Sequence, residues 1–178
     1  MAEEKKEKWL TYLSATTVII AVCATLSTFK GGGYSTKALL HQSKASDQWA
    51  HFQAKGIKSY IYEVEVENIN TQLLEKNNEE VIASLTKRKD KYNQKIEQYG
   101  KEKEEIKKEA EKLEGIRDDS KKHSEVFGMA VLFLQVSILL SSIAALIKKK
   151  EIWFVSMALG LIGIVYFING FWLFFSAS

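Results

Sequence analysis

Three long runs without Asp, Glu, Lys or Arg constrain this chain more than any other feature: Trp9 to Phe29, Val126 to Ile147 and Ile152 to Phe175. A helix rises about 1.5 Å per residue, so roughly 20 apolar residues cross about 30 Å of hydrocarbon. Each run meets that length. The expected fold is an all-α membrane protein with three transmembrane helices. A charged, water-facing insert separates the first from the second.

The charges lie almost entirely in that insert. Residues 30–125 hold 19 Lys or Arg and 18 Asp or Glu, so the segment is nearly neutral despite its density of charge. A nucleic-acid partner would need a lopsided basic patch, and none is present. Proline is absent, and because Pro costs about 3 kcal/mol inside a helix, long helices are free to run uninterrupted. The single cysteine, Cys23, lies in the first apolar run. It has no intrachain disulfide partner and reads as a small packing residue.

A short charged N-terminus, residues 1–8, carries Lys5, Lys6 and Lys8 ahead of the first run. That run is longer than the apolar core of a signal peptide and lacks a small-x-small cleavage site, so an uncleaved anchor is expected. Short loops rich in Lys stay in the cytoplasm, whereas long loops translocate largely regardless of charge. The loop at residues 148–151, Lys-Lys-Lys-Glu, agrees with the N-terminal lysines. The expected topology has the N-terminus inside, with the insert and the uncharged tail Ser176-Ala177-Ser178 outside. Lys30, Lys121 and Lys122 flank the membrane on that outer side.

The insert, residues 30–125, reads as an antiparallel coiled-coil hairpin. Gly31-Gly32-Gly33 is expected to end the first membrane helix, with Ser35 or Thr36 capping the next one. On the first arm, residues 35–76, Leu40, Ser43, Asp47, Ala50, Ala54, Ile57, Ile61 and Val64 recur at steps of three and four. A second stripe adds Trp49, Phe52 and Tyr60. Two apolar faces suggest more than one neighbour. On the second arm, residues 78–122, the seam is Ile82, Leu85, Lys89, Tyr92, Ile96, Tyr99, Lys103, Ile106, Ala110, Leu113 and Arg117. This is heptad spacing on an otherwise Lys- and Glu-rich surface. The arms match in length, at about 63 and 68 Å. The reversal falls at Asn77-Asn78, since asparagine tolerates the left-handed backbone of a tight turn. The second arm then runs into the membrane segment at residues 126–147 without a strong breaker.

Following one N-terminal apolar helix, the stretch KGGGYSTKALLHQSKASDQWAHFQAKGIK at residues 30–58 resembles a bacterial family of small membrane proteins, the domain-of-unknown-function family 4337. The likeness rests on the Gly-rich turn and on Ala45-Ser46-Asp47-Gln48-Trp49-Ala50-His51-Phe52-Gln53-Ala54-Lys55. It extends over nearly the whole chain. It implies a bacterial source and brings no activity, cofactor or partner.

No phosphate loop is present. His41 and His51 lie about 15 Å apart along one helix and cannot share a metal within one chain. The carboxylates sit on solvated faces, so no catalytic residue, cofactor or metal is expected, and the chain reads as a non-enzyme. Within the apolar runs, Gln135, Ser137, Ser141, Ser142 and Asn169 are expected to hydrogen-bond between helices. Ser156, Gly160, Gly163 and Gly170 offer a low-bulk face for helix association.

A lone hairpin leaves Trp49, Phe52 and Tyr60 exposed, and exposed apolar stripes mark interaction sites. The expected partners are the bilayer, further copies of the chain and other envelope proteins. The oligomer interface is placed on Asp47, Trp49, Phe52, Ile57 and Tyr60. The functional expectation is a homo-oligomeric scaffold in the bacterial inner membrane. A pore lined by Gln135 or Asn169, or an accessory subunit of a larger membrane complex, is the alternative.

Overall fold

In a computed structural model, the structure describes residues 2–75 and 77–175, with side chains from Lys8 onward. The side chains of Lys5 and Lys6, the whole of Lys76 and the tail Ser176-Ala177-Ser178, all invoked above, lie outside the described residues. The described chain is all-helical. It forms α1 (Ala2–Glu75), α2 (Glu79–Ile147) and α3 (Lys150–Trp172). By length and composition, all three are apolar enough over part of their course to cross a membrane.

The glycine triplet does not end the first helix. α1 runs through it without a break, and none of the glycines takes a positive φ. Packing explains this. A Cβ at Gly31 would stand 3.0 Å from the Phe127 Cβ, and the Ser124 hydroxyl donates to the Gly31 carbonyl at 3.1 Å. Gly31 therefore lets α1 approach α2, and that contact outweighs a helix-propensity penalty of about 1 kcal/mol. Thr36, expected as a cap, instead turns its hydroxyl back to the Gly32 carbonyl at 3.0 Å, as a mid-helix residue does.

Asn77 and Asn78 lie between α1 and α2, and neither takes the left-handed backbone. The Asn78 side-chain oxygen accepts from the Glu80 N–H at 3.0 Å and from the Val81 N–H at 3.4 Å. It is an N-cap, with Glu79 and Glu80 in the first turn. Among the described non-glycine residues, left-handed backbone occurs instead at Lys148 and Leu173. α2 continues unbroken into the apolar segment. Lys148 and Lys149 join it to α3, and the Lys149 N–H bonds the Ala144 carbonyl at 3.2 Å. α3 thus begins at Lys150, within the stretch expected to be loop.

The chain divides into two compact units, residues 1–39 with 117–178 and residues 40–116. In the first, parts of all three helices pack together. Trp9, Leu13 and Ala144 form one buried cluster, and Ile20, Ala24, Ala130 and Leu134 form another. In the second, α1 and α2 pair in opposite chain order. Trp49 meets Glu114, Phe52 meets Lys103, Lys55 meets Glu102, and Tyr62 meets Tyr92 and Tyr99.

Candidate interaction surfaces

In the unit formed by residues 40–116, the expected seam of α2 is the sheltered one. From Ile82 to Ile106 its positions are half-buried or better, and Leu85, Ala110 and Leu113 are buried. One cationic seam position, Lys103, is accommodated locally. The Lys103 ammonium lies 4.8 Å from the centre of the Phe52 ring, a cation–π contact made by a stem lying along apolar surface.

The two stripes of α1 divide differently from expectation. Trp49 and Phe52 turn toward α2 and are half-buried. Their rings meet edge to face at 5.5 Å, and the Trp49 indole N–H donates to Glu114 Oε1 at 3.0 Å. Tyr62 stacks on Tyr99 and meets Tyr92 at a tilt on the same inner face, while Ala45, Ser59 and Ile69 are buried there. The expected interface set is therefore split. Trp49 and Phe52 are occupied within the chain, whereas Asp47, Ile57 and Tyr60 are exposed.

The 3–4 stripe of Leu40, Ser43, Asp47, Ala50, Ala54, Ile57, Ile61 and Val64 lies wholly on the open face. Ile57 is 63% exposed and Ile61 54%. It is heptad-spaced like the paired seam, yet none of the described residues covers it. Between the inner faces, Lys55 forms an ion pair with Glu102. That hydrogen bond, helped by one from Gln98, holds the Glu102 carboxyl below its ordinary pKa.

In the other unit, the small residues of α3 do what their spacing suggests. Ser156, Gly160, Gly163 and Gly170 are buried. Ser156 is the centre of a polar cluster. Its hydroxyl donates to the Ser137 carbonyl at 2.8 Å and lies 2.6 Å from the Ser141 hydroxyl, and the Ser137 hydroxyl reaches the Ser156 carbonyl at 2.8 Å.

The two intramembrane candidates separate. Asn169 is 1% exposed, and its amide is used in capping α3. Nδ2 donates to the Phe175 carbonyl at 2.8 Å, and Oδ1 accepts from the Phe175 N–H at 3.1 Å. Gln135 lies on the outer surface of α2 and bonds to neither of the other helices.

The sequence reading missed a cluster beside the glycine triplet. His123 Nδ1 lies 2.7 Å from the Gly170 carbonyl, and the Tyr34 ring stacks on the imidazole at 4.5 Å. Its members are far apart in sequence, and no local spacing announces them. Among the described residues, no group of three or more His, Cys, Asp or Glu gathers closely enough to hold a metal ion. No curated protein and no solved structure matches the chain. The family model described as domain of unknown function (DUF4337) matches residues 9–173, and the chain belongs to that family.

Proposed function

We propose that this chain is a non-enzymatic, membrane-anchored coiled-coil scaffold that assembles with copies of itself in the bacterial inner membrane. The three apolar segments anchor it, and residues 40–116 form a water-facing antiparallel coiled-coil hairpin. One observation carries the reading: the open heptad stripe of α1 from Leu40 to Val64. A helix pair with one seam satisfied has no use for a second, and sustained a/d spacing is the pattern by which helices recognise helices. Ala50 and Ala54 allow close approach, Ile57, Ile61 and Val64 supply apolar area, and Ser43 and Asp47 would fix register.

Asn169 lends the pore alternative no support, because its amide is bonded to Phe175 of its own chain. The proposed interface accordingly shifts from Trp49 and Phe52 to the open stripe. Ile57→Lys with Ile61→Lys is expected to reduce the particle mass in mild detergent to that of a monomer, with helix content unchanged by circular dichroism. Both positions are exposed, so the chain's own packing survives the change. An unchanged assembly mass would refute self-association through this face.

A further inference from the structure

A second unpartnered seam runs along α2 in its apolar segment. Gly128, Leu132, Gln135, Leu139, Ser142 and Leu146 are all exposed, and they follow one another by alternating steps of four and three. Leucine recurs at every seventh residue, and Gly, Gln and Ser fill the alternate positions. This is a heptad seam with one small or polar residue per repeat. A Cβ on Gly128 would meet nothing within 4 Å. The Ser142 hydroxyl is satisfied by the Ile138 carbonyl of its own helix at 2.9 Å. The Gln135 carboxamide, with two N–H donors and an acceptor oxygen, makes no side-chain bond among the described residues.

Gln135 stands about 13 Å along the helix from Val126, close to the middle of the apolar run. If this segment spans a bilayer, no water reaches that depth and hydrocarbon offers no hydrogen-bonding group. A second polypeptide that brings a polar group to the same depth would supply the amide's partner there.

We propose that α2 pairs in parallel with α2 of a second copy of this chain along this face, Gln135 against Gln135. The proposal rests on the membrane-anchored reading above and adds a contact distinct from the α1 stripe. Hydrogen-bond complementarity favours a second copy. All copies insert the same way, so identical residues reach identical depth. A carboxamide is complementary to itself, because the carbonyl oxygen of each accepts from the NH2 of the other. Gly128 lets the two backbones approach, and the leucines at 132, 139 and 146 pack across the pair.

The test uses the full chain in native membranes, with Cys23→Ser as background and mild copper–phenanthroline oxidation. Leu132→Cys, Leu139→Cys and Leu146→Cys are expected to give disulfide-linked dimers. Val136→Cys and Ile143→Cys, exposed but off the seam, should give roughly tenfold less. Adding Gln135→Leu should lower the Leu139→Cys dimer by about tenfold, since the two amide bonds together are worth about one decade in association. Gln135→Asn should lower it less.

Equal yields at all five positions would mean random collision and would overturn the proposal. So would a disulfide to a different protein at Leu139→Cys. Ala54→Cys reads the α1 stripe separately. A dimer at Ala54→Cys with none at Leu139→Cys would defeat the membrane contact alone, whereas failure at both would defeat self-assembly as well.

Discussion

At the scale of single residues, glycine serves opposite ends along this chain. Gly163 is a contact residue: a Cβ there would fall 2.7 Å from the Leu134 Cγ and 3.0 Å from the Leu134 backbone nitrogen. The backbone cannot step aside as a flexible side chain would. Gly163→Ala is therefore expected to destabilise the unit by about 1–3 kcal/mol through overpacking. Gly100 lies on an exposed helix surface where a Cβ would meet nothing within 4 Å. Gly100→Ala should stabilise by about 0.5–1 kcal/mol, because alanine has less backbone freedom to lose. Thermal unfolding in one detergent measures both, and the opposite signs are the point. A Gly163→Ala protein that melts higher would contradict the close approach of α3 to α2.

At the scale of elements, what the sequence made legible was whatever local chemistry decides. Charge-free runs marked the apolar segments, since length against hydrocarbon thickness leaves little choice. The asparagines marked the break between α1 and α2, although Asn78 acts as a cap. The seam of α2 was readable because Lys and Glu crowd every other face. On α1 two stripes competed, and spacing alone does not choose between them. Of the aromatic stripe, Trp49 and Phe52 took the inner face, where they meet Glu114 and Lys103, while Tyr60 stayed outside and Tyr62, in neither stripe, packs inward against Tyr92 and Tyr99. The glycine triplet misled for a similar reason, because propensity sees one residue and not Phe127 across from it.

The same pairing carries a pH dependence. Glu102 is held below its ordinary pKa, first by the Lys55 hydrogen bond. At pH near 4 the unfolded chain thus binds the proton more readily than the folded one, and stability rises with pH through that range. The contribution is present above the unfolded value of about 4.3 and is lost as pH falls through the lower, folded one. The melting temperature should drop on acidification from pH 5 toward pH 3, and Glu102→Gln should flatten part of that slope. An identical slope in the variant would show that the pair with Lys55 contributes nothing measurable.

At the scale of the whole molecule, three crossings would place the two chain ends on opposite sides of a membrane, and orientation would decide which compartment meets the open α1 stripe. The proposed orientation leans on loop length. Residues 30–125 exceed the roughly 60 residues within which Lys and Arg hold a loop in the cytoplasm. Lys30, Lys121 and Lys122 therefore weigh less than Lys148 and Lys149, which form a two-residue connection between α2 and α3. In a Cys23→Ser background, Asn77→Cys should react with a membrane-impermeant maleimide in intact spheroplasts, and Lys149→Cys only after lysis. The reverse pattern would turn the scaffold to face cytoplasmic partners without disturbing the three crossings. Reaction of both in intact spheroplasts would contradict an odd number of crossings between the tip and that connection. The membrane reading itself would then have to be abandoned, and with it the claim that Gln135 is beyond the reach of water.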